Sequence, residues 1–200
     1  SVNKIDIIEN VKEVLNGYYL YFIPKTNVFF YPKSKIDSIL LEKFKKINNL
    51  SIDLKGFKEM NITIEDRQPV ALLCDGFNNE DEAERQCYFI DGKGFVFDKS
   101  PNFSSGVYPI YFNIVDDNKE IIGKYIANTS FFIDMQKLIN TLKNTKISVN
   151  GILLNENNEY ELYIKNKDLS EAIVYFNNKT PYDKIASNLI AFLNTAKENF

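Results

Sequence analysis

Two cysteines and a complete lack of histidine limit the chemistry open to this chain. Cys74 and Cys87 are separated by twelve residues, and each lies at the end of a short strand-like run, Val70–Cys74 and Cys87–Ile90. A hairpin joining those runs would bring the two Cα atoms within disulfide reach. Three readings compete: a structural bridge, two unpaired thiols in a core, and a metal or redox pair. The positions favour the bridge, and closing a ring of that size contributes about 3 kcal/mol in the chain-entropy picture. Two thiols without histidine are too few for a closed zinc site, and the spacing is not Cys-x-x-Cys. A bridge would place the chain in an oxidising space outside the cytosol.

Other chemistry-bearing patterns are thin. Without histidine, the usual base of a nucleophilic triad and the commonest metal ligand are absent. The sequence contains no Gly-rich phosphate loop, Gly-x-Ser-x-Gly elbow or His-Glu-x-x-His motif. Glu65 and Asp66 are adjacent, so on a strand they point to opposite faces and make a poor acid–base dyad. Glu65 and Arg67 share a face and suit a structural ion pair. Asp91 and Asp98 lack calcium-loop spacing, which leaves Asp91-Gly92-Lys93-Gly94 as a tight turn with positive-φ positions. The rings of Tyr18, Tyr19, Tyr21, Phe22, Phe29, Phe30 and Tyr31 could form a ligand platform, but packing of a loop onto the core is the plainer expectation. No catalytic residue, metal, cofactor or small-molecule substrate is therefore expected.

With 44% hydrophobic and 14% aromatic residues, the 200-residue chain can bury one large core or two small ones. Its formal charge is -3 and its lysines are scattered, so nucleic acid is not an expected partner. No run approaches a membrane-spanning length, no signal peptide is present, and Ser1 at the start suits a processed chain or a piece of a longer one.

The elements that must position these residues fall into two groups. Alternation over Val2–Ile8 predicts a strand, Glu9–Leu15 a short helix ending at Gly17, and Lys33–Lys46 a helix with Ile36, Ile39, Leu40 and Phe44 inward. Ile47–Leu54 and Lys58–Asp66 follow as strands, the latter with Met60, Ile62 and Ile64 inward. Pro69 cannot donate a ladder hydrogen bond and marks a seam. Beyond it come strands at Val70–Cys74, Cys87–Ile90 and Phe95–Phe97. A helix over Ser130–Lys143, capped by Thr129 or Ser130, carries Phe131, Met135, Leu138, Ile139 and Leu142. The strands Ile147–Leu154, Glu159–Ile164 and Ala172–Phe176 read as an antiparallel meander, and Pro181 opens a helix with Ile185, Leu189, Leu193 and Ala196 on its apolar face. Glu80-Asp81-Glu82-Ala83-Glu84 is the one charge block. The fold class is α+β: a β-α-α-β-β domain over 1–68, then a strand-rich β domain with packed helices over 69–200.

Ile62, Ile64, Arg67, Pro69, Val70 and Ala71 match an "I-x-I-x-x-R-x-P-V-A" junction, and Tyr88, Asp91, Gly94 and Phe97 match a "Y-x-x-D-x-x-G-x-x-F" hairpin. In these motifs and their order the chain resembles the extracytoplasmic region of the FtsQ/DivIB family of bacterial cell-division proteins, a POTRA domain followed by a β domain. Cys74 and Cys87 are similar to paired cysteines flanking this hairpin in members from small-genome lineages. The resemblance implies a non-enzymatic septation scaffold on the outer side of the cell membrane, held by a single helix upstream of Ser1. It also implies binding to membrane proteins resembling FtsB and FtsL through a sheet edge. The family's closing strand has no counterpart before Phe200, so the expected edge is Ala172, Ile173, Val174, Tyr175 and Phe176. The alternatives are a POTRA-type chaperone or transport module that binds extended secreted polypeptides, and a thiol oxidoreductase.

Overall fold

The computed structural model describes residues 2–27, 29–56, 59–75, 85–101, 107–113, 120–155, 159–165, 171–177 and 179–198. The acidic run 80–84 lies outside them, as do the side chains of Leu193 and Ala196. The chain is mixed α+β and divides into two compact units, Ser1–Arg67 and Gln68–Phe200.

The first unit opens with a helix where a strand was expected. Helix α1 spans Lys4–Leu15, and Asn3 caps it by accepting a hydrogen bond from the Ile5 N–H at 3.0 Å. Ile7, Val11 and Val14 recur at i, i+4 and i+7 and are buried, whereas Ile5 and Ile8 are exposed. The two-step alternation of Ile5 and Ile7 is too short to compete with a capped helix whose face is sustained over two turns. A short hairpin follows, β1 (Tyr18–Tyr19) with β2 (Ile23–Pro24), then helix α2 (Lys33–Lys43). Helix α2 stops before Lys46 because Phe44 becomes its C-cap. Strands β3 (Ile47–Lys55) and β4 (Glu59–Asp66) form an antiparallel pair with Ile52 opposite Ile62 and Leu50 opposite Ile64. Ile7, Val11, Val14, Ile36, Leu40, Ile47 and Ile52 make the core, with Met60, Ile62 and Ile64 packed against it. Among the described residues the order is therefore α-β-β-α-β-β, and the strand-first POTRA order is not the one observed.

The aromatic segment also departs from expectation. Tyr31 packs on the core, but Tyr18, Tyr21, Phe22, Phe29 and Phe30 are exposed. Strands of two residues cannot lay successive rings onto a core, and Leu20 and Tyr21 both take positive φ, at 48° and 66°, in the turn between them.

The second unit is built on a seven-stranded mixed sheet. Its strands are β5 (Ala71–Cys74), β6 (Cys87–Ile90), β7 (Val96–Lys99), β8 (Ile110–Asn113), β9 (Ser148–Leu154), β10 (Glu159–Lys165) and β11 (Ala172–Asn177), in spatial order β11-β10-β9-β8-β5-β6-β7. Strand β8 is an addition to the sequence reading. It pairs in parallel with both β5 and β9 and joins two antiparallel hairpin systems, β5–β7 and β9–β11. Parallel neighbours need a crossover, and here the β8–β9 connection carries helix α3 (Thr129–Asn144). Asn128 caps α3, one residue before the expected cap, with its Oδ1 accepting from the Ser130 N–H at 2.9 Å. Helix α4 (Tyr182–Glu198) starts directly after Pro181, whose carbonyl accepts from the Ile185 N–H.

Alternation along the strands divides the sheet into two faces. Leu73, Ile90, Tyr111, Ile152, Tyr160, Leu162 and Ile164 pack with Phe132, Met135, Leu138 and Leu142 of α3 and with Ile185 and Leu189 of α4. Leu72, Cys74 and Phe112 form a smaller cluster with Phe89, Tyr108, Ile110 and Leu153 on the other face. No helix among the described residues is long and apolar enough to cross a membrane.

Candidate functional site

Strand β11 is the outermost strand at one end of the sheet, and among the described residues it pairs only with β10. The direction of its main-chain groups follows from the ladder. The Asn155 N–H donates to the Glu159 carbonyl at the β9–β10 turn, which makes Leu154 and Tyr160 a non-hydrogen-bonded pair. By alternation Tyr160, Leu162 and Ile164 direct their N–H and C=O groups toward β11. Their partners Phe176, Val174 and Ala172 direct theirs back. Ile173 and Tyr175 consequently aim their main-chain donors and acceptors away from β10. An edge of this kind is a template for one more strand.

Side chains hold that edge in place. Val174 and Phe176 face the helices, where Phe176 stacks on Tyr160 at 5.5 Å and Tyr160 stacks on Phe131 of α3 at 4.4 Å. Desolvation raises the Tyr160 phenol above its ordinary range. The alternate residues Ile173 and Tyr175 are 44% and 70% exposed. Beside them on β10, the Tyr163 Oη donates to the Glu161 Oε2 at 2.6 Å, and desolvation followed by this acceptor pushes the Tyr163 phenol upward. Between β11 and α4 lies a groove of about 400 Å³ lined by Val174, Phe176, Thr180, Ile185, Asn188 and Leu189. Extended backbone at the rim, with Val174, Phe176, Ile185 and Leu189 beside Thr180 and Asn188 inside, offers main-chain pairing and a seat for alternate side chains.

The opposite end of the sheet is different. At β7 the Val96 N–H donates to the Lys124 carbonyl and the Gly123 N–H to the Val96 carbonyl, both at 2.8 Å, while Phe95 bridges Tyr125. Segment 123–125 thus covers part of that edge.

The remaining sequence-predicted residues occupy strand, turn and core positions. Cys74 and Cys87 form a disulfide, with Cα atoms 4.2 Å apart. The Asp75 N–H donates to the Gln86 carbonyl, so the cysteines occupy a non-hydrogen-bonded pair, the closer of the two antiparallel spacings. Of the junction residues, Ile62 and Ile64 pack on the first core and Ala71 is buried in the second, with Val70 against it. Arg67 is tied to main chain: its N–H donates to the Lys46 carbonyl and its Nε to the Lys45 carbonyl at 3.0 Å. Pro69 is half-buried just before the Val70 N–H opens the pairing with Ile90.

In the hairpin, Asp91 is buried and its Oδ1 accepts from the N–H groups of Lys93 and Phe95 at 2.8 and 3.0 Å, an Asx-type turn. Gly94 has φ +85°, and a Cβ there would meet the Phe132 ring at 3.0 Å. Gly92 does not take the positive φ expected of it. Tyr88 packs on the core, and Phe97 stacks on Phe89 at 5.9 Å. Among the described residues no three carboxylates or thiols converge as a metal set. No protein-family model matches the chain, and no curated protein matches it.

Proposed function

We propose that this chain is a non-enzymatic scaffold of bacterial septation, held at the outer face of the cell membrane, that binds other division proteins by adding their strand to β11. The observation that supports the binding mode is the edge itself: Ile173 and Tyr175 direct main-chain groups away from the sheet beside a groove with both apolar and polar lining. The division assignment rests on the junction and hairpin motifs read in the sequence. Partners are extracytoplasmic segments resembling those of FtsB and FtsL, bound extended, with alternate side chains reaching the groove.

Orientation of the ladder selects the informative substitution. Val174→Pro would remove a donor that faces β10 and break the sheet. Tyr175→Pro removes a donor that faces the partner, and proline is tolerated on an edge strand at such a position. Calorimetry with the partner segments should show binding by the parent and a loss of about tenfold or more for Tyr175→Pro. Tyr175→Thr, which keeps the N–H, should bind within a few-fold of the parent, and circular dichroism should show both variants folded. Equal binding by folded Tyr175→Pro removes β11 as the docking edge. A parent that binds neither partner, in cells that divide normally without it, overturns the functional reading.

A further inference from the structure

We infer that the hairpin Tyr18–Pro24 of the first unit seats its tip in the interfacial layer of a phospholipid bilayer carrying anionic headgroups. Tyr18, Leu20, Tyr21 and Phe22 are 63%, 74%, 99% and 71% exposed, a concentration of apolar surface on one protruding turn. The Phe22 N–H donates to the Tyr19 carbonyl, and Leu20 and Tyr21 between them both have positive φ, the arrangement of a type I′ turn. Asn and Gly fill such positions with little strain, whereas leucine and tyrosine are disfavoured there. The turn accepts that strain and aims two large side chains outward. Its neck is fixed by β1–β2 pairing and by Lys25, whose Nζ donates to the Asn16 carbonyl at 3.0 Å.

The charge balance around the hairpin suits an anionic surface. At the base of the hairpin Lys12 and Glu13 line one concavity with Tyr18 and Pro24, Lys25 adds a second cation, and the sequence holds no Asp or Glu between Glu13 and Asp37. Lys25 donates to the Asn16 carbonyl, a neutral acceptor that leaves its positive charge in place at the hairpin's base. Residues 1–67 hold eleven basic and nine acidic side chains, against thirteen and eighteen in 68–200. Tyrosine at a membrane surface keeps its hydroxyl in the headgroup layer and its ring below it, with lysines beside the phosphates. A protein partner is the weaker fit, because a five-residue tip falls far short of the roughly 800 Å² per side of a stable protein interface. Shallow insertion combined with charge needs only a few rings.

The test uses the whole chain, which has no tryptophan, so Tyr21→Trp places a single reporter at the tip. With vesicles of equal parts phosphatidylcholine and phosphatidylglycerol, its emission should shift to the blue and be quenched by brominated acyl chains. Unsubstituted protein should sediment with these vesicles, and about tenfold less with phosphatidylcholine alone or in high salt. The double substitution Tyr21→Ser, Phe22→Ser should lower sedimentation about tenfold while the melting temperature stays at the parent value. Unchanged tryptophan emission at saturating lipid overturns the inference, as does a double variant that sediments like the parent. Equal binding to pure phosphatidylcholine overturns the anionic requirement. Emission that responds only to FtsB-like or FtsL-like segments makes the hairpin a protein-docking loop instead.

Discussion

Tyr111 shows how one buried polar atom couples this fold to pH. Its ring is almost fully buried against Phe132, and its Oη accepts a hydrogen bond from the Gln136 Nε2 at 3.0 Å. Burial pushes the phenol well above its ordinary value of 10.0, and the Gln136 hydrogen bond offsets only part of that. A raised folded-state value means that the native state holds this proton more tightly than the unfolded chain does. Stability from Tyr111 is therefore fully present below pH 10 and lost as the pH rises above it, where the unfolded phenol ionises and the folded one does not. In Tyr111→Phe the decline above about pH 10 should be shallower than in the parent, measured by urea midpoints. Near neutrality the variant should lose about 1 kcal/mol, because the Gln136 amide loses this acceptor. A parallel decline in both proteins would remove Tyr111 as the source. The Tyr111 position follows from strand β8, whose local trace in the sequence is only a short apolar run after Pro109.

Among the elements, β8 and β9 depend on one glycine. A Cβ at Gly151 would lie 2.7 Å from the Phe112 Cε2 and 3.8 Å from the Ile110 carbonyl, because the Phe112 ring of β8 lies over the glycine of β9. Gly151→Ala should cost about 1–3 kcal/mol by chemical denaturation, since the ring must leave a packed position to admit the methyl group. A cost near zero would show that Phe112 moves freely. Helices α2, α3 and α4 were legible because apolar spacing and terminal residues act over one or two turns. The first strand was misread for the same local reason: Ile5 and Ile7 alternate, but the Asn3 cap and the Ile7, Val11 and Val14 face make a longer pattern. The β9–β11 meander was legible from period-two alternation and the Asn-rich turns between its strands.

At the scale of the whole molecule, the disulfide closes a ring that lies wholly within the second unit. Its reduction should cost that unit about 3 kcal/mol. Hydrogen exchange should report the loss in β5, β6 and β9, while protection of β3 and β4 stays as it was. Loss of protection across both units on reduction would show that they unfold as one. The hairpin between the cysteines needed only neighbouring residues to be read, whereas the crossover that places β8 between β5 and β9 joins segments far apart in the chain.

By itself the sequence determined the mixed α+β class, most helix limits, the turn at Asp91 and the facing positions of Cys74 and Cys87. Caps, turns and periodic burial depend on residues within a few positions of one another, so the linear order carries them. Only the tertiary structure decided that β11 stands at the end of the sheet among the described residues, that Ile173 and Tyr175 rather than Val174 present their main chain outward, and that the Tyr18, Tyr21 and Phe22 rings are exposed. Those properties depend on which strand lies beside which and in what register. A shift of one residue in that register reverses every direction along the strand.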